Sequence, residues 1–262
     1  MRGCVVITCS FFTIASVQAA TPLPPHVNAV GPQQPVIYFE QKGSTGAGGA
    51  AKVTTCKSLC PSPANSKTCR VEGDPDKDGE FVAHSWRTQN AVARYSEISG
   101  LAQDEGDICT LRLKVLRILR ITTFDGNAST LININLDRDE GTRRVIVGKP
   151  GAVAIDPVKG VAALRASGYV DAGTARYAGY SCRLLRKTAT GLVQEACLLD
   201  DKNAPPTVLG LPTQMMPLAD STMNPALPER RIYSETQRID FNATAPATVF
   251  TPPANIKWKN AK

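Results

Sequence analysis

The chain reads as a mainly β protein: a curved antiparallel sheet, or half-barrel, with one or two short covering helices and disulfide cross-links. Three observations predict this. Segments such as Leu111-Arg112-Leu113-Lys114-Val115 and Ile132-Asn133-Ile134-Asn135-Leu136 alternate apolar and polar residues, the period of a half-buried strand. Glycine and proline, 20 and 19 of 262 residues, punctuate the chain between such segments. Of the 8 cysteines, Cys4 and Cys9 lie in the first segment, which leaves Cys56, Cys60, Cys69, Cys109, Cys182 and Cys197 as an even set.

Residues 1–19 carry a positive start at Arg2, an almost wholly apolar run from Cys4 to Val17, and Val17-Gln18-Ala19 as a small-x-small ending. This is the pattern of a secretory signal peptide cleaved after Ala19. The run is too short for an ordinary spanning helix, and no later stretch reaches the roughly 18 apolar residues that a span requires. The expected product is periplasmic or secreted and not an integral membrane protein. A formal charge of +7 would suggest nucleic acid inside the cell. Outside it, no nucleic-acid partner is expected, and the polyanions at hand are lipid head groups and envelope polymers.

The elements follow in order. Residues 20–35 form a proline-rich arm with little reason to pack, and a single β-rich domain occupies 36–258. Val36 to Glu40 is its first strand. Gly43 to Ala51 reads as a flexible connection, so residues 43–79 form a long loop. Phe81 to Leu101 fits either helix or strand. Strands at Leu111–Val115 and Ile132–Leu136 flank the turn residues Asp125-Gly126-Asn127, and Val145-Ile146-Val147 follows. Asp156-Pro157 opens a short helix that stops at Gly168. Residues 201–230 form a second long, proline-rich loop. A last strand, Arg231 to Phe241, precedes a basic tail at 259–262.

One cysteine pair can be placed. Residues 178–187 and 191–199 read as a hairpin, and an Ala189-Thr190 loop would set Cys182 opposite Cys197. Facing positions bring β-carbons about 4.5–5.5 Å apart, within reach of a disulfide. Cys56, Cys60, Cys69 and Cys109 then form the other two bridges, in an order left open. A zinc site from Cys56, Cys60 and Cys69 with Cys109 or His84 is the alternative.

Chemical motifs are few. Asp74, Asp76 and Asp78 before Gly79 space hard oxygen ligands as a calcium loop does, although Ser85 stands where a bidentate glutamate belongs. A structural calcium is thus the one cofactor suggested. Arg112, Lys114, Arg117 and Arg120 make a basic strand that would suit an anionic head group. The histidines are His26 and His84, and no G-x-S-x-G, H-E-x-x-H or P-loop pattern occurs, so no enzyme is expected.

A resemblance adds to this reading. Ala178-Gly179-Tyr180-x-Cys182, Ala196-Cys197, Leu211-Pro212, Met215, Gln237 to Phe241 and Phe250-x-Pro252-Pro253 come in an order that resembles the LolA-like superfamily, the periplasmic lipoprotein-carrier fold. The resemblance implies a half-barrel whose concave apolar face holds lipid or acyl chains. On it, Leu111, Leu113, Ile132 and Ile134 would line a cleft with Arg112 and Lys114 at its rim, and Met215 and Met216 would lie over the mouth. The expected function is a non-catalytic binding protein for a lipid, an acyl chain or a lipidated partner. An envelope structural or sensor protein and a carboxylate-dependent hydrolase are the alternatives.

The bridge gives a first prediction. Closing about 15 residues, the Cys182–Cys197 disulfide contributes on the order of 3 kcal/mol, so Cys182→Ser lowers Tm by several degrees. Non-reducing peptide mapping must recover Cys182 joined to Cys197, and recovery with any other cysteine would overturn the assignment.

Overall fold

A computed structural model of the chain describes residues 21–46, 48–60, 68–125, 128–147, 164–199 and 217–260. The expected signal segment, Met215, Met216 and most of the helix expected after Asp156 lie outside these residues. The elements are β1 (Gln33–Thr45), α1 (Gly49–Leu59), β2 (Arg70–Glu72), β3 (Glu80–Arg87), β4 (Ala91–Asp104), β5 (Asp107–Asp125) and β6 (Ala128–Asn135). After these come β7 (Glu140–Val147), β8 (Val170–Tyr177), β9 (Tyr180–Ala189), β10 (Leu192–Leu199), β11 (Pro217–Asn224), β12 (Leu227–Pro246) and β13 (Lys257–Asn260).

Among the described residues these strands form one open, curved sheet of 13 strands, ordered β13-β7-β6-β5-β4-β3-β1-β12-β11-β10-β9-β8. The pairings are antiparallel except at β13 with β7 and at β2, which runs beside the first part of β5. The mainly β, disulfide-bonded half-barrel read from the sequence is therefore the fold.

Alternation along β1 defines two faces. Val36 and Tyr38 point to a cap face, where they join Trp86, Ala93, Tyr95, Leu119, Ile121, Ile132 and Ile134. Ile37 points to the other, barrel face with Ile239, Phe241, Leu218 and the Cys182–Cys197 pair. The register of β1 on β12 shifts between Val36 and Tyr38. That bulge lets Ala243 and Ala245 serve the cap core while Ile239 and Phe241 serve the barrel core. Curvature completes the second core: β8–β11 curl back until Tyr180 of β9 meets the Phe241 ring edge-on at 5.3 Å.

The cap comes from the chain's own ends. Leu23 and Val27 of the proline-rich arm pack on the cap core, held by a turn in which the Val27 amide donates to the Pro24 carbonyl. Val249, Phe250 and Ile256 close it from the other terminus. The arm was expected to stay loose, but proline favours a compact turn that presents its two apolar neighbours to the sheet. The described part of the expected basic tail, Lys259 and Asn260, ends the parallel edge strand β13, with Lys259 paired to Glu140 at 2.6 Å.

Other expectations are refined. The loop at 43–79 includes the end of β1, α1 and β2, and the loop at 201–230 includes β11 and the start of β12. Phe81–Leu101 resolves into two strands. Ala178-Gly179, read as strand, is a two-residue turn with both residues at positive φ, as is Thr190-Gly191. Because the second turn lies one residue later than read, Cys182 pairs in register with Leu199 and Cys197 with Leu184. The cysteines are diagonal neighbours, and their Cα atoms are still 5.4 Å apart within the bonded pair. The other bridges are Cys56–Cys69 and Cys60–Cys109, which tie α1 to β5 and the loop before β2.

Gly43 is a position where the fold leaves no room for a side chain. A Cβ there would lie 2.0 Å from the Tyr233 carbonyl oxygen and 2.6 Å from the Phe81 ring. Gly43→Ala must push β1 away from β12 or move the ring, and we expect Tm to fall by several degrees. An unchanged thermal melt would show that the two strands are not this close in solution.

Candidate functional site

The residues expected to line one cleft are placed in two packed cores. Leu111 and Leu113 meet Cys56, Val53 and Leu101 beneath α1, whereas Ile132 and Ile134 belong to the cap core. Both regions share one face of the sheet, but each is filled by the chain itself. Arg112 and Lys114 point to the opposite face and are ion-paired, Arg112 with Glu72 at 2.8 Å and Asp104 at 3.2 Å, Lys114 with Asp104 at 3.3 Å. They form no rim around either core.

The three aspartates diverge as well. Asp74 accepts the Asp76 amide at 3.0 Å and caps a short 3-10 turn. Asp78 is buried, accepting the Leu101 amide at 2.7 Å and the Lys52 ammonium at 3.0 Å. Its side chain anchors α1 to β4. Among the described residues no three metal-ligating side chains come together, and the cysteines expected in bridges are spent there rather than on zinc.

What the sheet does assemble is a graded cap face. Cross-strand rows follow from the register. Tyr38–Trp86–Ala93–Ile121–Ile132 forms the deep apolar row. Next comes Glu40–His84–Tyr95–Leu119, and then Lys42–Val82–Glu97–Arg117. Ser99 faces Val115 in the row beyond, before Leu101 and Leu113 pass under α1. The cap covers the first rows and α1 the last. Between them lies a cleft of about 340 Å³ lined by Lys42, Glu80, Val82, Glu97, Ser99, Val115 and Tyr233, with Gly43 and Phe81 at its edge.

His84 sits where apolar core gives way to polar groove. Its ring lies nearly parallel to those of Tyr38 and Tyr95, at 6.1 and 6.4 Å. Burial depresses its pKa below the usual histidine value, against smaller opposing pulls from Glu40 and Glu97. Burial pushes both tyrosines up, and Glu40 adds to the effect at Tyr38. The phenol of Tyr38 therefore stays protonated and shares a 2.7 Å hydrogen bond with Nδ1 of a neutral His84, the imidazole tautomer setting which of the two donates. Tyr95 donates to Glu97 Oε1 at 2.6 Å, and Arg117 holds Glu97 at 3.8 Å and Asp137 at 3.1 Å. The Arg238 guanidinium lies 5.6 Å over the Tyr38 ring. The row joins β1 to the β3–β4 hairpin, with Tyr38 and His84 46 residues apart, so no short spacing along the chain could announce it. Only His84, as one of two histidines, was visible beforehand.

No protein-family model matches the chain, and no curated protein sequence matches it either. Among solved structures, two crystal forms of PNGF-II are similar at TM-scores of 0.40 and 0.39. Each is 10% identical over 87% of this chain, covering 32% and 31% of the PNGF-II chain. The chain thus spans about a third of those structures, and likeness at this level carries no argument about function. It does not indicate the lipoprotein-carrier fold.

The histidines set a pH dependence. Burial lowers the pKa of His84 and also of His26, where the nearby Thr251 backbone opposes it, both from 6.5. Below about pH 6.5 the unfolded chain binds protons that the native chain resists, so stability is lost as pH falls through that window and regained above it. We expect Tm to drop between pH 7 and pH 5, and His84→Gln to flatten part of that drop. A variant with the wild-type pH profile would remove His84 from the explanation.

Proposed function

We propose that the protein acts in an oxidising compartment outside the cytoplasm, exported to the periplasm or secreted, as a non-catalytic binding protein for a lipidated partner. Support for the compartment comes from three disulfides and from the signal-peptide pattern of residues 1–19. Among the described residues no helix is long and apolar enough to cross a membrane. The LolA-like resemblance of the sequence points the same way.

One observation carries the reading. The cap and α1 leave the middle of the cap face uncovered, and Val115 stands 48% exposed on the floor of the open groove. Around it, Val82, Tyr233 and the stem of Lys42 offer apolar surface with polar ends. Magnitudes select the kind of occupant. A groove of about 340 Å³ is at the small end for ligand sites and takes on the order of ten methylenes. At about 0.8 kcal/mol each they contribute about 8 kcal/mol, against an association cost of 4 kcal/mol or more. The surplus corresponds to roughly millimolar affinity. A free fatty acid is thus held weakly, whereas an acyl chain on a protein or peptide gains further contacts along the rim.

A second reading rests on Glu80 and Glu97, which line the same groove on adjacent strands. Two carboxylates about 5–9.5 Å apart are the equipment of a glycoside hydrolase, so a carboxylate-dependent hydrolase is the alternative.

The test is fluorescence binding of an acylated peptide against the same peptide without its chain. The acylated form should bind at least tenfold tighter, and Val115→Asp should abolish that difference by placing a charge on the groove floor. Equal binding of both peptides, or a Val115→Asp protein that folds and keeps the difference, overturns the proposal. Turnover of a glycoside substrate that is lost in Glu97→Gln would establish the hydrolase instead.

A further inference from the structure

The barrel face carries a different feature on the same strands. Arg94 of β4 and Arg120 of β5 are direct cross-strand partners. Ala93 and Tyr95, and Leu119 and Ile121, belong to the cap core, so both arginines point to the opposite face. Like charges placed directly opposite in a sheet are destabilising. Several other arginines of this sheet are ion-paired, as at Arg112–Glu72, Arg117–Asp137 and Arg186–Glu195. Among the described residues neither Arg94 nor Arg120 has a carboxylate at ion-pair distance.

Arg94 is the more costly of the two. Largely buried, it is held by a 2.9 Å hydrogen bond from Nη1 to Gln41 Oε1 and lies 5.7 Å over the Phe81 ring. Burial depresses its pKa first and Arg120 second, and Asp220, the carboxylate that opposes them, weighs less than either. Asp220 also accepts a hydrogen bond from Ser234 at 3.0 Å. A guanidinium fixed in this way, with its charge uncompensated, is preorganised for an anion that arrives from outside.

The surroundings have the room and the donors. The cross-strand row continues from Arg120 to Asn133, Thr142 and Lys259. These four residues line a shallow depression of about 420 Å³ together with Ile118, Ile134, Asn135, Glu140 and Gly141, and Arg94 stands behind Arg120 on the next strand, outside the lining. Lys259 is neutralised by Glu140 at 2.6 Å, so the surplus positive charge rests on the arginine pair. Side-chain amide and hydroxyl donors beside the Arg120 guanidinium suit a multi-oxygen anion.

We infer that Arg120, with the poorly balanced charge of Arg94 behind it, forms a binding site for a phosphoryl group, whose remaining oxygens or attached head group lie over Asn133 and Thr142. The site is on the opposite face from the groove and does not depend on it. An oxyanion bound at Arg120 would offset the repulsion that Arg120 exerts on Arg94.

The test compares thermal shift in inorganic phosphate with that in chloride at matched ionic strength, for wild type, Arg120→Ala and Arg120→Lys. Arg120 is exposed, so its removal leaves the fold intact. Wild type should be stabilised by phosphate, Arg120→Ala should lose at least fivefold in apparent affinity, and Arg120→Lys should recover part of it. A parallel arm measures binding to phosphatidylcholine vesicles with and without phosphatidylglycerol. Phosphatidylglycerol-dependent binding lost in Arg120→Ala identifies a lipid head group as the source. A phosphate shift without vesicle binding identifies a soluble phosphoryl ligand. If neither phosphate nor the anionic vesicles discriminate wild type from Arg120→Ala, the inference is wrong.

Discussion

Burial of β1 on both faces is the constraint on which the rest of this structure depends. Val36, Ile37 and Tyr38 are 1%, 0% and 0% exposed in succession, so no side of the strand is left to solvent there. A strand of that kind needs a separate core on each face, and the chain supplies them from different sources. The cap core comes from β3–β6 and the two ends of the chain, the barrel core from the curled β8–β11 region. β12 serves both with residues of one parity, Ile239, Phe241, Ala243 and Ala245, which strict alternation would keep on a single face. The bulge opposite Ile37 resolves the conflict by advancing β12 one residue, so that its alanines face the cap and its Ile239 and Phe241 face the barrel. Small residues at Ala243 and Ala245 leave room for Tyr38 and Trp86, the largest fully buried side chains.

Legibility in the sequence tracks this division. Strands with one wet face, such as β5 and β6, alternate cleanly and were readable. Fully buried β1 appeared as the continuous run Val-Ile-Tyr-Phe, which marks a strand without marking its faces. The segment 81–101 hid because its buried positions include Ala83, Ala91 and Ala93, small residues with little strand signature. β8 was not visible at all: it is an exposed edge strand with a register shift between Asp171 and Thr174, so it has no apolar face to display. The cysteine set was legible from compartment logic, yet the Cys182–Cys197 geometry was read one turn residue out of place. Sheet twist made the diagonal pair bondable all the same.

The residues expected to line one cleft are divided between two cores for a physical reason. Leu111, Leu113, Ile132 and Ile134 do share a face, as alternation requires, but β5 is 19 residues long. At about 3.4 Å per residue its two ends are far enough apart to hold separate cores. One face of a long strand can pass from apolar to polar and back, and the polar interval is where His84, Tyr95 and Glu97 gather. Sequence alternation identifies a face; it does not say where along that face the covers fall.

Adjacent residues of β4 therefore serve different environments. Tyr95 and Glu97 look toward the groove, while Arg94, one residue away, looks through the barrel face toward Gln41 and Arg120. The backbone between them is fixed on both sides by β3 and β5, so a substitution at one position leaves the other's register unchanged. Two ligand chemistries can occupy opposite faces of a single sheet at a separation of one layer without competing for side chains. Their energetics differ accordingly. The groove relies on apolar area, whose contribution is insensitive to moderate salt, whereas an arginine pair at a partly exposed site weakens as salt screens it. Ionic strength thus separates the two faces in the wild-type protein, before any residue is changed.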